Sequence, residues 1–216
     1  VELIVEDGEL VTMASGSSAE SMLVRDGRIA VAGPAAAVRA AAGPGAAVVR
    51  LEGATVVPGL IDAHCHVMQV GYLAAGADCS QPAAPDIAAI RARLRAAAAG
   101  TPAGSWVTGS GYVEYKLAER RHPAREDLDA AVPDRPAVLY HTSLHACVLN
   151  STGLRAAGLA DGQPDPPDGM LGRDGQGRLT GVLFEGPMFR LLADRLRHDL
   201  AGMDAAARAR VVRRAG

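Results

Sequence analysis

The chain has 216 residues, with 22 Lys and Arg against 24 Asp and Glu, a formal net charge of −2. That balance gives no reason to expect nucleic acid or an anionic membrane as a partner. Apolar residues make up 49% but aromatics only 3%, so the core must be built from Ala, Val and Leu. No apolar run reaches the length of a membrane span, and the N-terminus lacks the basic-then-apolar pattern of a signal peptide. Cys65, Cys79 and Cys147 are odd in number and show no close metal-ligand spacing, so free thiols in a reducing cytoplasm are expected.

Taken in order, Val1 to Val5 and Leu10 to Met13 flank Asp7-Gly8 and predict a hairpin, because both turn residues tolerate positive φ. Ser21 to Val24 and Ile29 to Ala32 flank Asp26-Gly27 and predict a second one. Ala35 to Ala42 predicts a short helix, and Val48 to Leu51 a strand. Together these short strands predict a small antiparallel sandwich with a scaffolding role.

Thr55 to Val57 is an apolar run that turns at Pro58-Gly59 and continues through Leu60-Ile61 to Asp62-Ala63-His64-Cys65-His66. In a strand, side chains alternate faces, so Asp62, His64 and His66 would point one way. Two imidazoles at a strand end suit one divalent metal, and Asp62 would orient a ligand or join the surrounding network. A bare His-x-His carries little weight; its flanking sequence carries more.

Further on, Asp86 to Ala99 predicts a helix, with Ile87, Ile90 and Leu94 on one face, Asp86 capping its start and Gly100 its end. Ser105 to Tyr112 predicts a strand ending in glycines, Arg125 to Asp129 a helical turn, and Pro136 to Tyr140 a buried strand. The spacing of His141 and His145 would suit one face of a helix and a second metal pair; a polar loop is the alternative. Met170-Leu171 and Leu179 to Phe184, around repeated turn residues, predict a hairpin. Pro187 to His198 and Asp204 to Ala215 predict helices.

The Pro58-Gly59-Leu60-Ile61-Asp62-Ala63-His64-Cys65-His66 pattern resembles the amidohydrolase superfamily, as does the Asp26-Gly27-Arg28-Ile29 turn before it. Trp106-Val107, Leu128-Asp129, His145, Asn150-Ser151, Ala157-Gly158 and Thr180-Gly181-Val182-Leu183-Phe184-Glu185 narrow this to amidohydrolase family 3, the YtcJ-like branch. The resemblance implies an α/β fold: the first part of a metal-dependent (β/α)8 TIM barrel at 57–216, and part of a small β-sandwich domain at 1–56. In that family the aspartate and two histidines close the first barrel strand.

By that resemblance His64 and His66 are metal ligands, and His145 contacts substrate or supports the ligands. Glu185 is either a metal-proximal carboxylate, a substrate contact or a structural carboxylate. The cofactor implied is a divalent metal, zinc foremost, as one or two ions. The activity implied is hydrolysis of amide or other non-peptide C–N bonds in small molecules, with metal-activated water attacking a carbonyl. A deaminase of the same superfamily and a non-catalytic fragment are the alternatives, and a homo-oligomer stays open. The family's later ligands and general base are expected beyond residue 216. Lys116, the only lysine, lies in a polar loop segment poorly suited to a bridging ligand. The chain therefore reads as the N-terminal portion of a longer enzyme.

Overall fold

The computed structural model describes residues 1–14 and 18–213. It divides into two compact units, Val1–Cys65 and His66–Gly216.

The first unit contains β1 (Glu2–Glu6), β2 (Glu9–Val11), β3 (Ser18–Ala19), β4 (Ser21–Arg25), β5 (Arg28–Gly33), α1 (Ala35–Ala41), β6 (Ala47–Arg50) and β7 (Thr55–Val56). One sheet has the order β5-β4-β1-β6, the other β3-β2-β7. Alternation along β1 and β4 supplies both faces of the first sheet. Ile4 and Leu23 pack with Val38 of α1, while Leu3, Val5 and Met22 pack with Leu10, Ala19 and Val56 of the second sheet.

The Asp26-Gly27 hairpin forms as expected, with φ of 51° and 76° at its two central residues. The Asp7-Gly8 hairpin does not. Its first arm pairs with β4 and β6, and its second with β3 and β7, so Asp7 (φ 65°) carries the chain from one sheet to the other. Nor is the arrangement purely antiparallel, since β1 with β6 and β2 with β7 are parallel pairs.

The second unit contains α2 (Val67–Leu73), β8 (Ala77–Asp78), α3 (Ile87–Gly100), β9 (Val107–Tyr112), a 3-10 turn (Glu114–Lys116), α4 (Arg125–Asp129) and β10 (Ala137–His141). It continues with β11 (Ala146–Leu149), α5 (Ser151–Ala156), β12 (Gly169–Arg173), β13 (Leu179–Glu185), α6 (Gly186–Ala201) and α7 (Ala205–Arg213). Residues 214 and 215 of the last expected helix lie outside the described residues. The strands form one mixed sheet, β12-β13-β11-β10-β9-β8, parallel from β8 to β10 and antiparallel beyond.

Helix α3 follows its sequence at the start but not at the end, where Gly100 is the last helical residue and Thr101 takes the cap position, its N–H donating to the Ala98 carbonyl at 3.2 Å. Asp86 accepts from the Ala89 N–H at 2.7 Å, and Ile87, Ile90 and Leu94 are buried, roughly 1.5–3 kcal/mol each in transfer terms. Strand β10 is fully buried from Ala137 to Tyr140. Its alternate residues feed two cores, Ala137 and Leu139 on one face and Val138 and Tyr140 on the other.

The Asn150-Ser151 element is a structural corner. Fully buried, Asn150 accepts from the N–H groups of Ala137 (2.9 Å) and Gly153 (2.7 Å) and donates to the carbonyls of Val132 (2.7 Å) and Arg135 (2.9 Å). All four bonding positions of its amide are used. Ser151 donates its N–H and hydroxyl to the two oxygens of Asp129, at 2.9 and 2.6 Å. Two separated sequence motifs thus meet at one corner. Asn150→Ala leaves buried donors and acceptors unpaired and removes the α5 cap, so the full-length protein should lose about 3 kcal/mol of stability. Urea unfolding of wild type against the variant checks this.

Candidate functional site

The two expected metal ligands lie on irregular backbone. Strand β7 ends at Val56, and among the described residues no strand ladder includes 57–66. The strand that would align Asp62, His64 and His66 on one face is therefore absent. A strand requires a neighbour for its N–H and C=O groups, and this stretch is exposed, with Leu60 and Ile61 at 96% and 91%. Asp62 instead accepts from the N–H of His64 at 3.0 Å, closing a local Asx turn. His66 sits at the start of α2, its carbonyl accepting from Val70 at 2.9 Å. Among the described residues, no group of three or more His, Cys, Asp or Glu is placed to hold a metal ion. The chemistry of two imidazoles suits a borderline divalent metal, but their number supplies only part of a coordination shell.

The other two expected residues do come together. The His145 Nδ1 lies 3.0 Å from Glu185 Oε2 and 3.2 Å from Oε1, with both side chains exposed. Backbone pairing sets this up: β11 and β13 run antiparallel, and the Glu185 N–H donates to the His145 carbonyl at 2.9 Å. Glu185 ends β13 and starts α6 with φ 57° and ψ −123°, a conformation that costs a non-glycine residue on the order of 1–3 kcal/mol. Upstream, Gly181 is required by its φ of 89° and by the Leu149 carbonyl, which would lie 2.3 Å from an added Cβ. The glycine of this motif shapes the strand; the glutamate is the residue presented to solvent. The ring of Phe189, one turn along α6, meets His145 edge-on at 5.5 Å.

No helix joins His141 to His145. They flank the turn between β10 and β11, where Leu144 adopts φ 55°. Instead, His141 belongs to a cluster at the exit of the parallel strands β9 and β10. Tyr112 ends β9, His141 ends β10, and a register shift before His141 sets the two opposite each other, their rings edge to face at 5.1 Å. The Tyr112 hydroxyl lies 2.8 Å from His122 Nδ1, and the His122 ring meets Phe184 at 5.6 Å. Burial pushes the Tyr112 phenol well above its usual range, and burial also pushes His122 down. Both shifts favour a phenol donating to a neutral imidazole.

Glu114, just past β9, brings Oε2 within 2.8 Å of His141 Nε2, but the oxygen lies off the ring's N–H direction. Both atoms are buried without a hydrogen-bond partner. Tyr112, Glu114 and His122 gave little sequence signal. The glycines of β9 marked the strand end, yet nothing local showed that β10 would deliver a histidine beside it.

A cavity of about 820 Å³ lies elsewhere, at the N-terminal end of β9 between Trp106 and α6. There the Arg195 guanidinium stacks over Trp106 at 4.7 Å and donates to Tyr72 Oη and Asp199, both at 3.0 Å. None of the candidate residues above lines it, so we centre the site on the strand exits, where parallel α/β sheets present their chemistry.

A lowered imidazole pKa means that the unfolded chain binds a proton which folded His122 resists. Stability from this residue is then complete above the ordinary value near 6.5 and is lost as pH falls through the folded one. Chemical unfolding of the full-length protein should show stability falling between neutral and mildly acidic pH. His122→Gln, which keeps an acceptor for Tyr112, should flatten that fall.

The pattern of the amidohydrolase family matches residues 47–216. An N-substituted formamide deformylase from Arthrobacter pascens is 37% identical over 172 residues, covering 80% of this chain and 32% of that protein. The putative amidohydrolase YtcJ of Bacillus subtilis is 31% identical over 189 residues, covering 86% and 35%. The crystal structure of an uncharacterized metal-dependent hydrolase from Pyrococcus horikoshii has a similar fold, with a TM-score of 0.53 at 20% identity. It aligns with all of this chain and 40% of its own. This chain spans about a third of the length of these curated relatives. Matched over most of its length, the chain belongs to the amidohydrolase family, in its YtcJ-like family 3 branch.

Proposed function

We propose that the full protein is a metal-dependent hydrolase of amide or other non-peptide C–N bonds in small molecules. The observation that carries this reading is the family match over residues 47–216, which includes the Asp62-x-His64-x-His66 pattern. The 37% identical relative, named for N-substituted formamides, supports a C–N bond as the point of cleavage. In this reading the parallel run β8-β9-β10, with α3 and α4 as its crossovers, is the first part of a (β/α)8 barrel. The two small sheets are part of a β-sandwich domain.

His64 and His66 would hold a divalent metal, zinc foremost, through neutral imidazoles. The remaining donors and the general base are proposed to lie in the part of the relatives' length that this chain does not span. Such a metal supplies a polarised carbonyl and a bound water acidified toward neutrality. Asp62 fixes the local turn between itself and His64. His145 and Glu185, exposed and held together on the β11–β13 edge, would face the substrate, and Phe189 offers an apolar surface beside them. The near-neutral charge balance supports a small-molecule substrate over nucleic acid or a membrane surface. No helix among the described residues is long and apolar enough to cross a membrane.

The test is turnover by the full-length, zinc- or manganese-supplied protein on a panel of N-formyl amines, N-acetyl amines and N-acyl amino acids, followed by release of free amine. Cleavage is expected, with kcat/KM falling about a thousandfold, ~4 kcal/mol, in His64→Ala and in His66→Ala. Release of ammonia from amino-heterocycles with no amide cleavage would instead identify a deaminase. A metal-supplied protein inert on both panels would point to a non-catalytic role.

A further inference from the structure

The turn between β10 and β11 carries a continuous hydrogen-bonded path that joins the strand-exit cluster to the exposed pair. Ser143 donates its backbone N–H to His141 Nδ1 at 3.1 Å, and its hydroxyl lies 2.7 Å from the same nitrogen. A backbone amide always carries its hydrogen, so Nδ1 must be the acceptor. The ring's proton then belongs on Nε2, the nitrogen 2.8 Å from the Glu114 carboxylate. The Ser143 hydroxyl, spent as a donor on His141, accepts the N–H of His145 at 3.2 Å. His145 in turn meets Glu185 through its ring, at 3.0 Å, and through its carbonyl, at 2.9 Å.

Two residues on this path sit in the left-handed region, Leu144 at φ 55° and Glu185 at φ 57°. Neither is glycine or asparagine, so the surroundings must hold both conformations in place. Backbone bonds from Leu144 N–H to the His141 carbonyl (3.0 Å) and from Gly186 N–H to the Asp168 carbonyl (3.0 Å) contribute, and the contacts just named add to them. His141 is held on its other side by the Tyr112 ring at 5.1 Å and the His122 ring at 6.1 Å. Its ring is held by packing and by the two contacts at Nδ1, with the Glu114 carboxylate close to Nε2, which makes it an anchor for the turn.

We propose that His141 and Ser143 are positioning residues: the Nε2–H tautomer of His141 anchors Ser143, and the Ser143 hydroxyl fixes the strained turn that sets His145 against Glu185. This rests on the reading that His145 and Glu185 face the substrate, because only then does their orientation bear on turnover. Glu114 is the group that favours the proton on Nε2. The titratable and charged groups around the His141 ring are Glu114, His122 and Tyr112.

The test uses the full-length protein with ¹⁵N-labelled histidine, read by long-range ¹H–¹⁵N correlation at mildly alkaline pH, with Ser143→Ala and Ser143→Thr as variants. In wild type, His141 should show a protonated Nε2 and an unprotonated, hydrogen-bonded Nδ1. In Ser143→Ala the His145 Nδ1 signal should shift as its contact with Glu185 loosens. Ser143→Thr, which keeps the hydroxyl, should restore the wild-type signal. A merely structural serine would not show that hydroxyl-specific rescue.

A wild-type His141 with its proton on Nδ1 would overturn the proposal even if Ser143→Ala failed to fold. So would a folded Ser143→Ala whose His145 signals match wild type. On any substrate the protein turns over, Ser143→Ala should lower kcat/KM about tenfold and Ser143→Thr should recover it. A full-length protein with no turnover at all would sink the catalytic reading but leave the spectroscopic result to decide the positioning claim.

Discussion

The second unit depends on the burial of β10. A strand with no solvent on either face must satisfy every backbone group from neighbouring strands and fill both faces with apolar side chains. Ala137 to Tyr140 does both, pairing in parallel with β9 and antiparallel with β11 while its alternate residues enter two cores. Asn150 locks the start of this strand, and its end opens into the polar cluster. Register along β10 decides that His141 meets Tyr112, and therefore where Ser143 and His145 emerge. The candidate site is a consequence of that register.

Features with local causes were legible in the sequence. The Asp26-Gly27 hairpin needed only two residues that accept positive φ, and α3 needed only an apolar stripe and an aspartate cap. The β12–β13 hairpin likewise followed from its turn residues. Asp7-Gly8 carried the same local signal, but β1 found partners in β4 and β6, and tertiary pairing overrode the turn. The stretch 57–66 failed in a related way. Its alternation suits a strand, yet a strand is a property of two segments, and among the described residues none pairs with it. His145 and Glu185 were each legible by resemblance, while their pairing was not, because forty residues and two strands separate them. Tyr112, Glu114 and His122 meet only through the parallel alignment of β9 and β10, which no short window of sequence encodes.

The structure also sorts the family motifs by what they do. Asn150, Ser151 and Asp129 spend their polar atoms on one another and on backbone, so their presence is explained by the fold alone. Gly181 is explained by backbone crowding. His145 and Glu185 differ: both side chains are exposed, and Glu185 holds a costly backbone conformation at the junction of β13 and α6. Between these groups stands the His141–Ser143 turn, anchored by the half-buried His141 ring and joined by hydrogen bonds to the exposed pair.

The central claim is that this chain carries part of a metal centre through His64 and His66. Elemental analysis of the full-length protein, wild type against His64→Ala plus His66→Ala, tests it most directly. The account predicts near-stoichiometric divalent metal in wild type and its loss in a folded double variant. A well-folded wild type that takes up no metal when supplied with zinc and manganese, or a double variant that keeps its full metal content, would contradict it.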